Sequence, residues 1–162
     1  MSAKAQVTAD SYQLGPGDQI IINVFGEDDL SMEVRLSDSG KLNYPLLGVL
    51  QVEGLTVNEL EDRITDGLEG DYLIDPDVTV TMKEYRRIYL NGEVRKPGGY
   101  PYEPGLTLER AIALAGGFTE FASRKKIEVK RSSGASEQSM RMDLADAVYP
   151  GDVITVPETG LF

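Results

Sequence analysis

The sequence predicts an α+β protein made of two small tandem modules, and three observations predict it. Two Leu-Thr pairs, Leu55-Thr56 and Leu106-Thr107, each open an amphipathic helix. Short runs of strand-forming residues flank both helices, the pattern of small mixed sheets carrying one helix each. Charge also changes abruptly along the chain. Residues 1–82 carry 4 basic and 16 acidic side chains, net −12, whereas residues 83–162 carry 12 and 11, net +1. The change falls at Lys83-Glu84-Tyr85-Arg86-Arg87, which reads as a boundary between units. The expected division is a flexible segment over 1–11, a first module over 12–84, a second over 85–158 and a tail over 159–162.

In the first module the apolar run Gln19–Phe25 predicts a strand, followed by strands at Glu33–Ser37, Lys41–Tyr44 and Gly48–Val52. Asp38-Ser39-Gly40 has the composition of a hairpin turn between the second and third of these. A helix is predicted from Val57 to about Leu68. Thr56 is its N-cap and Glu59 completes a capping box, while Val57, Leu60, Ile64 and Leu68 share one face. The alternating Val78–Met82 closes the module as a strand.

The second module opens with a strand over Ile88–Val94, in which Gly92 suggests a bulge. A turn follows at Lys96–Tyr100. Thr107 caps a short helix with Leu108, Ala111, Ile112 and Ala115 inward, and Gly116-Gly117 ends it. Strands are expected at Lys126–Arg131, Gln138–Met142 and Val153–Val156, with a helical turn at Asp143–Val148.

The most distinctive stretch is Tyr12-Gln13-Leu14-Gly15-Pro16-Gly17-Asp18, placed directly before the first strand. A shorter echo, Tyr149-Pro150-Gly151-Asp152, precedes the last. In each, proline presets φ at the second turn position, glycine supplies a positive φ at the third, and aspartate closes the turn. Asp18 is expected to accept hydrogen bonds from backbone amides of Gly15–Gly17 or of a neighbouring loop. Gly15, Pro16, Gly17 and Asp18, with Pro150, Gly151 and Asp152, are therefore structural turn residues.

Composition narrows the function. The 162 residues, 41% of them hydrophobic, suffice for a real core. A net charge of −11 argues against binding nucleic acid or anionic lipid. Histidine and cysteine are both absent, which removes the imidazole base, the thiolate nucleophile, disulfides and the usual zinc ligands. No stretch approaches the roughly 20 apolar residues of a membrane-spanning helix.

The remaining chemistry reads as structural. Glu27-Asp28-Asp29 and the set Asp71, Asp75, Asp77 are acidic loops without the glycine and bidentate glutamate of a calcium loop. Ser132-Ser133-Gly134-Ala135-Ser136 reads as a hairpin turn, since a serine nucleophile here has only lysine to activate it. No phosphate-cradling glycine motif is present. No catalytic, cofactor or metal residue is therefore assigned. The basic positions Arg86, Arg87, Arg95, Lys96, Arg124, Lys125 and Lys126 are candidates for contact with an acidic protein surface or an acidic sugar. The acid excess of the first module is a complementary surface.

Tyr12–Asp18 with its strand, the Asp38–Gly40 turn with Pro45, Leu46, Leu47 and Gly48, the capped helix and Asp75-Pro76-Asp77-Val78 together resemble the polysaccharide export domain. Gly92-Glu93-Val94-Arg95-Lys96-Pro97-Gly98-Gly99-Tyr100, the helix with Gly116-Gly117-Phe118, Ile127–Arg131 and Tyr149–Val156 resemble a soluble-ligand-binding β-grasp domain. The two follow in the order of the polysaccharide export family and cover nearly all of the chain after Asp10.

The resemblance implies a non-enzymatic periplasmic component of a bacterial capsule or exopolysaccharide export apparatus, possessing no cofactor. Its implied partners are other copies of itself in a ring or collar that is labile in isolation, an inner-membrane polysaccharide co-polymerase, an outer-membrane exit protein and the polysaccharide. It also implies export, so a signal segment is expected to be missing from residues 1–10, which have no apolar signal core. Members that pierce the outer membrane carry a lipidated cysteine, a second β-grasp repeat and a C-terminal pore helix. This chain ends at Phe162 after one repeat, which fits either a short soluble subgroup or a truncated chain. A different reading of the same residues is a monomeric module that captures a soluble saccharide through its β-grasp domain.

Overall fold

The computed structural model describes residues 12–133 and 136–160. The expected flexible segment 1–11 and the last two residues of the tail lie outside them. The chain divides into two compact units that meet between Arg86 and Arg87. Tyr85 and Arg86 stay with the first unit because their side chains pack against Tyr12.

The first unit is centred on β1, Gln19–Val24, flanked antiparallel by β2, Met32–Arg35, and β5, Val78–Glu84. The apolar run is not buried on both sides. Ile20, Ile22 and Val24 point inward with Val78 and Val80, while Ile21 is half-buried and Asn23 and Phe25 face out. This is the period-2 pattern of a sheet with one covered face. Helix α1, Val57–Leu68, contributes Val57, Leu60, Ile64 and Leu68 to the same core. Its capping box is complete: Thr56 Oγ1 accepts the Glu59 N–H and Glu59 Oε1 accepts the Thr56 N–H.

One expectation fails here. Asp38-Ser39-Gly40 is not a hairpin turn, because β2 pairs only with β1 while β3, Lys41–Tyr44, pairs with β4, Gly48–Gln51. The chain leaves the sheet at Leu36, whose N–H and carbonyl are both bonded to the Gly17–Asp18 turn. Gly40, at φ +69°, then redirects it, and a Cβ there would lie 2.5 Å from Cβ of Glu53. The true hairpin turn is Tyr44–Leu47, closed by the Leu47 N–H on the Tyr44 carbonyl at 3.2 Å. Its third position is Leu46 at φ +70°, where glycine is the usual residue.

The second unit is a five-stranded mixed sheet in the order β7-β6-β10-β8-β9, where β6 is Ile88–Gly92, β7 Gly98–Tyr100, β8 Glu128–Ser133, β9 Ser136–Arg141 and β10 Val153–Val156. β6 and β10 run parallel and the other pairs antiparallel. Strand β6 stops at Gly92 rather than continuing through a bulge to Val94. A Cβ at Gly92 would lie 2.1 Å from the Val156 carbonyl oxygen, so the glycine permits close approach to β10. Helix α2, Leu108–Leu114, buries Leu108, Ala111 and Ile112, which join Ile88, Leu90, Val129 and Ile154 in the core. Asp143–Val148 holds a single turn, closed by the Asp146 N–H on Asp143 at 3.0 Å. The residues between Ser133 and Ser136, at the centre of the expected serine hairpin, lie outside the described part; the strands on either side pair as a hairpin requires.

Candidate functional site

The two Pro-Gly-Asp turns fold alike. In each, the aspartate N–H closes onto the carbonyl three residues back, Asp18 on Gly15 at 3.2 Å and Asp152 on Tyr149 at 3.1 Å. The third-position glycines take φ +93° and +86°. In return each carboxylate accepts the N–H of that same first residue, Gly15 at 2.9 Å and Tyr149 at 2.8 Å. Both turns are also stapled to a neighbouring segment. Gly17 and Asp18 bond Leu36, whereas Gly151 bonds Arg87 and Asp152 bonds Tyr89.

Both aspartates are fully buried, at 0% exposure, and each faces an arginine of its own unit. Asp18 Oδ2 accepts Arg86 Nη1 at 3.0 Å and the Tyr12 hydroxyl at 2.6 Å, and Oδ1 accepts the Arg86 backbone N–H at 2.6 Å. The same guanidinium donates to the Tyr12 hydroxyl. Asp152 instead takes a two-pronged fork from Arg131, Nε at 3.0 Å and Nη2 at 2.9 Å. Arg131 lies 4.0 Å above the Tyr149 ring, and Arg86 lies 5.4 Å from the Tyr12 centroid. Burial, and then the Asp18 charge, push the Tyr12 phenol well above its ordinary pKa. At Arg131 burial lowers the pKa, but the Asp152 hydrogen bond and charge outweigh it and the net direction is upward. These are structural clusters in which every charge is answered, and they offer no free nucleophile or base.

The structure separates the seven candidate basic residues. Arg86 is committed to Asp18 inside the first unit. Arg87 stands at the start of β6, reaching the Gly99 carbonyl at 3.5 Å. The other five gather at the opposite end of the sheet. Arg95 bonds Gly117 and Lys96 bonds Ala115 through their backbone amides, and the Arg124 guanidinium covers the Phe118 ring at 4.9 Å. Phe118 itself bridges to Val94. Ser123 bonds Pro157 just past β10, which places Lys125 and Lys126 at this end too. All five are exposed, as is Phe121, three residues before Arg124. No ion pair engages these five among the described residues. Sequence reasoning named the basic positions but missed Phe121, which carried no periodic signal, and missed Arg131 as the partner of Asp152.

The acidic loops form no group of three or more ligands able to hold a metal ion among the described residues. Among the described residues no helix is long and apolar enough to cross a membrane. A half-open cavity of about 390 Å³ lies in the second unit, lined by Pro101, Glu103, Pro104, Leu106, Arg110 and Leu114.

Residues 6–83 match the family described as polysaccharide biosynthesis/export protein, and residues 87–143 match the SLBB domain. The exopolysaccharide production protein ExoF of Rhizobium meliloti is 34% identical over 130 residues, covering 72% of this chain and 30% of that protein. The EPS I polysaccharide export outer membrane protein EpsA of Ralstonia nicotianae is 32% identical over 173 positions, covering 90% of this chain and 45% of its own length. The polysialic acid transport protein KpsD of Escherichia coli is 26% identical over 125 residues, covering 75% of this chain and 22% of that protein. The chain thus spans less than half the length of these curated relatives.

Proposed function

The chain belongs to the polysaccharide export protein family, and from that premise we propose that it is a non-enzymatic component of a bacterial capsule or exopolysaccharide export apparatus. It works in the periplasm or at the outer membrane. It assembles with copies of itself into a ring or collar between an inner-membrane co-polymerase and an outer-membrane exit, and the polysaccharide passes through that conduit. The observation that carries this reading is the ordered pair of matches, export domain then SLBB domain, on two units that each fold as a compact α+β module. The absence of histidine and cysteine, and the full engagement of both buried carboxylates, support action by contact rather than by covalent chemistry.

The test is genetic. Removing the gene from its host should abolish polymer in the medium while polymer precursors are still made, and restoring it should restore secretion. Secretion that continues undiminished in the deletion strain overturns the proposal. A second reading, a monomeric module that binds a soluble saccharide, is favoured by the cavity beside α2. Light scattering over a concentration series, with and without oligosaccharide, separates the two. An assembly grows with concentration, whereas the module binds saturably at constant mass.

A further inference from the structure

Three of the exposed apolar residues of the first unit lie on segments that the fold joins. Phe25 is 80% exposed, Ile74 96% and Leu46 55%. The Phe25 N–H bonds the Asp77 carbonyl at 3.0 Å, and the Tyr72 hydroxyl donates to the Leu46 carbonyl at 3.4 Å. Residues 72–77 join these two contacts in one short stretch. The same segments contain the two non-glycine residues with positive φ among the described residues, Leu46 at +70° and Asp75 at +54°. A left-handed leucine is costly, and here the cost presents an apolar side chain to water. The positive φ at Leu46 closes the β3–β4 turn, but the turn does not call for an apolar side chain there, and an exposed one suits an outside contact.

The rim of this patch identifies its occupant. Asp28 and Asp29 follow Phe25 closely, and Asp71, Asp75 and Asp77 bracket Ile74. Such a rim repels anionic lipid and suits an apolar surface with a basic rim. The second unit carries one. Phe121 is 61% exposed and is followed by Arg124, Lys125 and Lys126, with Arg95 and Lys96 at the same end of the sheet.

We infer that the acid-rimmed apolar patch of the first unit receives the basic, Phe121-bearing end of the second unit of another copy of this chain. The inference deepens the proposed assembly and rests on that reading. The contact uses two different surfaces, so copies join head to tail. Apolar burial at Phe25, Ile74 and Phe121 supplies affinity, and the opposed charges set register and encounter rate.

The test uses the whole chain and two variants. One carries Phe25→Asp and Ile74→Asp, the other Phe121→Asp, Arg124→Glu and Lys125→Glu. All five positions are exposed, so thermal melting should match the parent, and a single Ile74→Ser variant serves as a milder check. By sedimentation the parent should gain mass with concentration and lose it as salt rises. Each variant alone should need at least about tenfold more protein to associate. Mixed together, the variants retain one intact pair of surfaces and should form a one-to-one dimer and nothing larger. Three results overturn the inference: a parent that stays monomeric up to about 1 mM, either variant associating as the parent does, or a mixture that remains monomeric. The secretion experiment judges the export reading separately, so a failure of one is not mistaken for a failure of the other.

Discussion

The turns at Asp18 and Asp152 pose one physical problem and answer it in two ways. Each buries a carboxylate completely at the mouth of a strand, where an unanswered charge is expensive. The first unit spreads the answer over four donors from three residues: the Gly15 and Arg86 backbone amides, the Tyr12 hydroxyl and the Arg86 guanidinium. Its arginine comes 68 residues after the aspartate, so the cluster ties the start of the unit to its end. The second unit concentrates the answer in one side chain, the Arg131 fork, with a single backbone donor from Tyr149. A distributed network tolerates loss of any one donor side chain, whereas a concentrated one does not.

Deleting the acceptor tests both clusters and should produce the largest effects. Asp18→Ala strands two amides, a phenol and a guanidinium, and should cost about 3–5 kcal/mol in urea unfolding. Asp152→Ala leaves one amide and one guanidinium, and should cost about 2–4 kcal/mol. A reversed order, or either variant as stable as the parent, breaks the comparison.

Deleting the cation should invert that order. Arg131→Met leaves Asp152 with only the Tyr149 amide and should cost about 2–3 kcal/mol. Arg86→Met keeps its own backbone N–H, with Gly15 and Tyr12, on Asp18, and should cost only about 1–2 kcal/mol. Equal losses would mean that the network is not distributed in the sense described.

The hydroxyl is the finest probe of the first cluster. Tyr12→Phe removes one of four donors and should cost about 1 kcal/mol at neutral pH. It should also change the alkaline limb of stability. The Tyr12 phenol is raised in the folded state relative to 10.0, so its contribution is fully present below that pH and is lost as pH rises beyond it. Unfolding followed from pH 8 upward should fall less steeply in Tyr12→Phe. A residual slope should remain from Tyr44 and Tyr85, which burial also raises. Parallel curves for variant and parent would show that Tyr12 ionises as freely folded as unfolded.

How much of this was legible in the chain follows from range. The turns, both threonine caps and the inward faces of both helices are set by neighbours within four residues, and each was readable. Strand partners were not, which is why Asp38-Ser39-Gly40 looked like a hairpin. Its composition suits one, but the register of Met32–Arg35 against β1 decides otherwise. The tyrosines heading each motif were visible, yet their arginines lie 68 residues after one aspartate and 21 before the other, with no local mark. Charge counting grouped Arg86 with Arg87 because they are adjacent. The fold turns one into Asp18 and leaves the other at the surface. The joining of the segments that carry Leu46, Ile74 and Phe25 is likewise a product of the fold, since the three are far apart in the chain.

The two helix starts extend the comparison to its smallest expected effect. Thr56 and Thr107 cap in the same way, each Oγ1 accepting the N–H three residues on. In α1 that third residue is Glu59, which bonds back to the cap amide. In α2 it is Arg110, which cannot accept a hydrogen bond and places a positive charge at the positive end of the helix dipole. Arg110→Glu supplies the missing return bond and reverses the charge. It should stabilise the second unit by about 0.5–1 kcal/mol in urea unfolding, provided the Thr107 N–H is free to take the new partner. Arg110→Gln separates the two contributions, since it restores the acceptor without the charge and should recover only part of the gain. Because Arg110 also lines the cavity beside α2, a loss of stability in Arg110→Glu with a gain in Arg110→Gln would show that its charge answers Glu103 there. A loss in both would show that the long arginine side chain is held by packing, and that the two helix starts are not equivalent after all.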